Sequence, residues 1–427
     1  MTAVVGTNQD WKKPFFTVWI GQAFSLVGTA IARFALIWWL TDLTGSAIVL
    51  AGSSLVSIAP RVILGPLAGV YIDRHNRRKV MILADAFTAL VSLWLAFMFW
   101  SGAMQVWHVY IVIFARALGS TFHGPAMNAS TTLMVPEQQL SRVAGMNQTL
   151  GGVMNFLGPV LGALCLEFLP LHGVMLLDVG TAALAIAALL VVTIPNPERR
   201  LDENGKTSSM WTDLKEGFQY ILDWKGMAIF MGMAMSINFM ISPAFSLMPL
   251  LVRNEFLGGA PELAMLESSS GIGLLVGGLV LSIWGGFRKK VVTILVGMAS
   301  LGAAIIGLGM TPVTLFWLAI ASSVAMGFIL PFVNGTTGAM LQATTAPEMQ
   351  GRVFTATESF ASMMMLVSLA LAGPIAEAVG LRAMFIASGL VCLLEGLGGF
   401  FIPALMNVEE QGTEIQKKQT EAVTVGS

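Results

Sequence analysis

Charge is the scarcest ingredient of this 427-residue chain: 23 lysines and arginines and 24 aspartates and glutamates make up only 11% of it, where a soluble domain carries about 25%. That deficit excludes a water-soluble globular enzyme, because 47 charged side chains cannot cover a fold of this size. Only two cysteines are present, Cys165 and Cys392, and both lie inside apolar runs. They exclude a disulfide framework, and no histidine or second cysteine stands at metal-ligand spacing, so no metal site is expected. Net charge is −1, which removes the basic balance a nucleic-acid partner would require. Gly205-Lys206-Thr207 lacks the leading glycine of a P-loop, and neither Gly-x-Ser-x-Gly nor His-Glu-x-x-His occurs. Nucleotide-driven and hydrolytic chemistries are therefore not expected, and the chain reads as a non-enzyme without a cofactor.

What fills the space is apolar. Hydrophobic residues make up 56% of the chain and mean hydropathy is +0.77. A bilayer core of ~30 Å takes about 20 apolar residues of helix, and twelve such stretches fit: 15–40, 47–71, 79–101, 106–131, 140–166, 173–194, 226–251, 264–286, 290–310, 313–341, 353–378 and 382–405. The fold class is thus all-α, a membrane protein of twelve transmembrane helices. Trp11-Lys12-Lys13-Pro14 leads into a first segment too long for a signal-peptide core, so it is expected to stay as a helix.

Lysine and arginine sort the loops. With both termini cytoplasmic, clusters such as Arg74, Arg77, Arg78 and Lys79, Arg199 and Arg200, and Arg288, Lys289 and Lys290 all face inward. Only Arg253 and Arg382 fall outside, as the positive-inside rule asks. The one long polar interruption, 195–225, divides six spans from six and is read as a cytoplasmic linker; 211–221 within it has the pattern of a short amphipathic helix. The expected organisation is a six-helix half over 1–194, the linker over 195–225, a second half over 226–406, and a disordered cytoplasmic tail over 407–427. The halves echo each other. Pro136-Glu137-Gln138-Gln139 follows the fourth span and Pro347-Glu348-Met349-Gln350 the tenth, and Gly158-Pro159 in the fifth span is matched by Gly373-Pro374 in the eleventh. Internal repeats of this kind put a substrate site between them.

Ionisable residues inside spans are expensive and mark pathways or relays. Asp178 and Glu395 are the leading candidates for proton coupling, with Asp85 and Glu358 behind them. Gln22, Ser25, Thr29 and Arg33 fall on one face of the first helix, and Arg116, Ser120 and His123 on one face of the fourth. Both stripes are expected to line a water-filled cavity. Its polar contacts are Gln22, Arg33, Arg116, His123, Asn155, Asn238 and Asn334, and its walls include Phe24, Phe34, Trp38, Met127, Phe239 and Phe332. The three intramembrane cations Arg33, Arg61 and Arg116 leave an anionic cargo open.

The segment Gly65-Pro66-Leu67-Ala68-Gly69-Val70-Tyr71-Ile72-Asp73-Arg74-His75-Asn76-Arg77-Arg78-Lys79 resembles the loop motif of the major facilitator superfamily, Gly-x-x-x-Asp-Arg-x-Gly-Arg-Arg/Lys. Gly65 and Gly69 have the spacing that lets helices approach closely. Gly69, Asp73, Arg74, Arg77 and Arg78 are the candidate conformational latch, with Asp73 facing the positive end of another helix. Asn76 stands where the family has glycine, and asparagine tolerates the left-handed conformation. Gly158, Pro159 and Gly162 resemble the end of the family's antiporter motif. Further matches run through Phe15-Phe16-Thr17-Val18-Trp19-Ile20-Gly21-Gln22, Leu40-Thr41-Asp42-Leu43-Thr44-Gly45-Ser46-Ala47, Phe122-His123-Gly124-Pro125-Ala126 and Val135-Pro136-Glu137. Together they look like the macrolide-efflux branch of that superfamily. The resemblance implies two six-helix halves in the major facilitator fold and proton-driven antiport of small hydrophobic or amphipathic drugs across a bacterial inner membrane by a monomer. Exporters of a siderophore-like metabolite or a lipid remain alternatives, as does a membrane-embedded lipid-handling protein that transports nothing.

Overall fold

The computed structural model describes residues 11–194 and 218–413, without the side chains of Asp73, Pro347 and Glu348. Among the described residues the chain is helical, with no strand. Twelve long helices succeed one another: α1 Lys12–Thr44, α2 Ala47–Arg74, α3 Arg77–Trp100, α4 Val106–Met134, α5 Leu140–Phe168, α6 Leu171–Val191, α7 Lys225–Ser246, α8 Ala260–Trp284, α9 Lys290–Met310, α10 Phe316–Thr344, α11 Pro347–Val379 and α12 Leu381–Gly398. Eleven are long and apolar enough to cross a membrane. The exception is α4, which is 29 residues long but carries Arg116, Ser120, His123 and Asn128. Predicted and observed spans agree in number and order. The differences are at ends: α7 stops at Ser246, and a separate two-turn helix, Met248–Glu255, with Pro249 in its first turn, takes the rest of the expected span.

Burial is inverted relative to a soluble protein, as expected where the solvent is lipid. On α3, Leu83, Leu90 and Phe97 recur every seven residues and are all more than half exposed, while Met81, Ser92 and Leu95 are buried. Turns are set by local chemistry. Gly45 closes α1 in the left-handed conformation at φ 57°, which suits a residue without a Cβ. Asn76 is extended (φ −66°, ψ 111°), not left-handed; its side chain accepts the Lys79 N–H at 3.0 Å and caps α3. A capping role explains asparagine better than the conformational tolerance expected from the motif.

The chain divides into two units. The first holds residues up to Gly45, Gly52–Leu201 and Gly258–Ser268; the second holds Ser46–Ala51, Asp202–Leu257 and the remainder from Ser269. The first turns of α2 and of α8 thus group with the opposite unit from the rest of their helices. In the first unit α1 packs on α5 and α6, and α3 on α4 and α6. In the second, α7 packs on α11 and α12, and α9 on α10 and α12. Every one of these pairs is reproduced by adding six to the helix number, the structural counterpart of the sequence echo.

Small residues set these crossings. A Cβ on Gly21 would lie 2.7 Å from Ala188 Cβ on α6, and one on Gly158 of α5 would lie 2.9 Å from Ala30 Cβ on α1. The second unit does the same between α9 and α12 at Gly302, Gly389 and Gly396. Gly65 and Gly69 do not: a Cβ at either meets nothing within 4 Å among the described residues. Their expected close approach is absent from this conformation.

The tail departs from its expected disorder. Residues 408–413 are helical, and Val408 is fully buried. Trp224 Nε1 donates to Val408 O at 3.1 Å, Gly226 N–H to Gln411 Oε1 at 3.0 Å, and Val291 N–H to Glu409 Oε1 at 2.8 Å. Glu410 pairs with Lys289 at 3.1 Å. Polar composition hid this because Glu409 and Gln411 meet backbone N–H groups at helix starts, where orphan donors need partners. Residues 414–427 lie outside the described residues, as do 195–217; of the proposed amphipathic segment only 218–221 is described, and it is helical, with Tyr220 and Ile221 buried.

Candidate functional site

The two polar stripes converge on acids instead of opening wholly to water. At one level Asp178 of α6 is ion-paired to Arg116 of α4. Its Oδ2 also accepts Ser92 Oγ at 2.7 Å, and its Oδ1 accepts Thr29 Oγ1 at 3.4 Å and Arg116 Nη2 at 3.5 Å. Asp178 is buried, and the Arg116 side chain is 11% exposed. A buried carboxylate needs such a set of partners to offset its lost hydration.

Asp85 of α3 anchors the other level. Gln22 Nε2 of α1 donates to its Oδ2 at 3.0 Å, and His123 Nε2 of α4 stands 3.3 Å from its Oδ1. The arginine-rich loop beside Asp85 is not its partner. Arg77 donates to Ala129 O at 2.7 Å, and Arg78 to Leu189 O and Leu190 O at 2.6 and 2.5 Å. The last two are C-terminal carbonyls of α6, where a cation is favoured by the helix dipole. Of the latch residues, Gly69 and Arg74 lie at the end of α2 with Arg74 exposed, and Arg77 and Arg78 clamp helices of the first unit.

Arg33, Asn155, Asn334 and Glu358 are exposed and Asn238 is half-buried, its Nδ2 donating to Ala234 O at 2.8 Å. Glu395 of α12 accepts from Ser236 while its Oε2 is buried without a partner. Gly158 and Gly162 press against α1 at Ala30 and Phe34, which makes Phe34 a packing residue and not a cavity wall. Glu267 of α8 was missed by the sequence reading: it lies within electrostatic reach of Arg33. A helix predicted to start at 264 puts Glu267 at its edge, whereas the observed start at Ala260 puts it two turns inside. A cleft of about 560 Å³ opens near the C-terminal end of α1, bounded by Trp38, Trp39, Asp42, Glu167, Pro170 and Pro261 among others. That is a drug-sized volume.

Known proteins fit this arrangement. The Major Facilitator Superfamily model matches residues 18–356. The chain belongs to that superfamily. It is accordingly a multi-pass membrane transporter, not an enzyme. It is 34% identical over 389 residues to macrolide efflux protein A of Streptococcus pyogenes, covering 90% of this chain and 95% of that one. It is 24% identical to the multidrug efflux pump Tap of Mycolicibacterium fortuitum, covering 93% and 98%. Among solved structures, a POT family transporter superposes with a TM-score of 0.70 at 12% identity, covering 92% of this chain and 96% of that one. A bacterial homologue of the human lysosomal transporter Spinster gives 0.66 at 15%, covering 96% and 99%. At such identities these superpositions establish the fold alone.

Proposed function

We propose that this chain exports hydrophobic or amphipathic drugs, macrolides among them, in exchange for inward-moving protons, as a monomer in a bacterial plasma membrane with both termini cytoplasmic. The observation that carries the reading is the 34% identity to a macrolide efflux protein along almost the whole of both chains. Membrane-buried carboxylates supply what a proton-driven cycle needs, since an acidic group must be able to alternate between charged and neutral forms. The cleft lined by Trp38, Trp39, Asp42 and Glu167 combines apolar walls with few polar groups, the makeup of a site for a bulky amphipathic molecule.

An anionic cargo is less favoured than the sequence alone implied. Arg116 is committed to Asp178 and Arg33 lies within electrostatic reach of Glu267, so two of the three intramembrane cations have a carboxylate near them. Everted vesicles energised to an acid interior test the reading. Addition of a macrolide should release protons from the lumen, and a pump-deficient bacterium expressing the chain should gain resistance. Protection against anionic compounds alone would overturn the cargo assignment, and gradient-stimulated uptake into whole cells would overturn export.

A further inference from the structure

Three helices of the first unit repeat a polar residue at a seven-residue interval: Gln22 and Thr29 on α1, Asp85 and Ser92 on α3, and Arg116 and His123 on α4, which runs the opposite way. Seven residues are two helical turns, or about 10.5 Å. The stripes therefore stack into two layers, one around Asp178 and one around Asp85.

The layers differ in what can happen to a proton. Around Asp178, Ser92, Thr29 and Arg116 occupy both carboxylate oxygens. Arginine keeps its charge in proteins, so protonating Asp178 would strand a buried cation. Among the described residues no lysine or arginine is ion-paired to Asp85. Gln22 satisfies Oδ2, and the atom facing Oδ1 is His123 Nε2, which is itself buried and makes no aligned hydrogen bond. A bare imidazole lone pair turned on a carboxylate repels it, so a proton belongs in that 3.3 Å gap. With a neutral ring the pair carries −1; with one more proton it carries none.

The neighbouring side chains are engaged elsewhere. Tyr71 of α2 and His75, just past its end, stack on each other at 3.9 Å, and Tyr71 meets Phe122, the residue before His123, edge-on. Arg77 and Arg78 are spent on helix carbonyls, and Arg116 and Asp178 sit one layer away. The His123 side chain is 20% exposed, so the pair is not sealed among the helices.

We propose that Asp85 and His123 form the proton-carrying station of the export cycle, taking one proton from water on one side and returning it to water on the other, while Asp178 stays paired with Arg116. This rests on the proton-driven reading above. The test uses the full chain in proteoliposomes with radiolabelled erythromycin as the probe. Gradient-driven accumulation is measured beside downhill equilibration without a gradient, for wild type, His123→Gln and Asp85→Asn. Both variants should lose at least tenfold in the ratio of gradient-driven accumulation to their own downhill equilibration. Equal loss of both activities, or accumulation within twofold of wild type, overturns the assignment. Ring-¹⁵N resonances of wild type give a check that needs no variant to fold, because the chain has four histidines. His123 should change protonation between pH 5 and 9, and a ring that keeps one state throughout overturns the station. If wild type itself ignores the gradient, the proton-driven reading fails and this assignment falls with it; if wild type responds and both variants respond equally, this assignment alone fails.

Discussion

The Gly158–Ala30 crossing separates two explanations of the antiporter-type glycines, close packing and local flexibility. In Gly158→Ala the new methyl would sit 2.9 Å from Ala30 Cβ, where carbon atoms prefer about 3.5–4.0 Å. Overpacking of that kind costs about 1–3 kcal/mol, offset by roughly 1 kcal/mol from the better helix propensity of alanine, for a net loss of about 0–2 kcal/mol. Ala30→Gly alone loses the same propensity and one packed methyl worth ~0.8 kcal/mol, so about 2 kcal/mol. The double variant merely moves the methyl from α1 to α5. Its propensity changes cancel and one Cβ again fills the crossing, so its stability should lie within about 1 kcal/mol of wild type, well short of the summed single losses. Thermal unfolding in detergent, followed by the fluorescence of the 11 tryptophans, reads the cycle directly. Transport should follow stability, recovering in the swap. A double variant no more stable than its worse parent would refute the packing account. One that is stable but silent in transport would show that α5 needs glycine at 158 to bend.

Three other outcomes are expected. Asp178→Asn should destabilise the first unit by about 3–5 kcal/mol, because it strands Arg116 in a buried site, and the loss should shrink when Arg116→Met is added; unchanged thermal unfolding of the single variant would contradict the pairing. Glu409→Ala should cost about 1 kcal/mol by uncapping the start of α9, and truncation after Met406 should cost more, since Trp224 is 1% exposed under the tail; limited proteolysis near α7 reads both, and an unaltered digestion rate would mean that the docked tail contributes nothing. Asp73→Asn should slow exchange of bound macrolide across the membrane while equilibrium binding to the purified protein stays within twofold, so a large loss of binding would argue against a latch.

How much was legible depends on whether the signal was local. Spans, their number and the duplication are one-dimensional properties, and hydropathy together with the Pro-Glu-x-Gln echo carried them. The ends of helices were less so: Pro249 breaks the expected seventh span and the true start of α8 hides Glu267, both decided by a turn or two of backbone that mean hydropathy averages away. Side-chain stripes were legible as stripes but not as destinations. The periodicity of Gln22, Thr29 and Arg33 reports that one face of α1 is polar, and burial in lipid makes that costly; it does not say whether water or a carboxylate relieves the cost. Here α3 and α6 supply Asp85 and Asp178 at matching heights, so most of the stripe is spent on protein partners and only its end at Arg33 is exposed. The tail failed for the same reason in reverse. Glu409 and Gln411 look like solvated residues until the starts of α7 and α9 offer them N–H groups. Composition can state the electrostatic debt of each segment. Only tertiary structure shows which other segment settles it, and in a membrane, where water seldom does, that settlement is where a transport mechanism must operate.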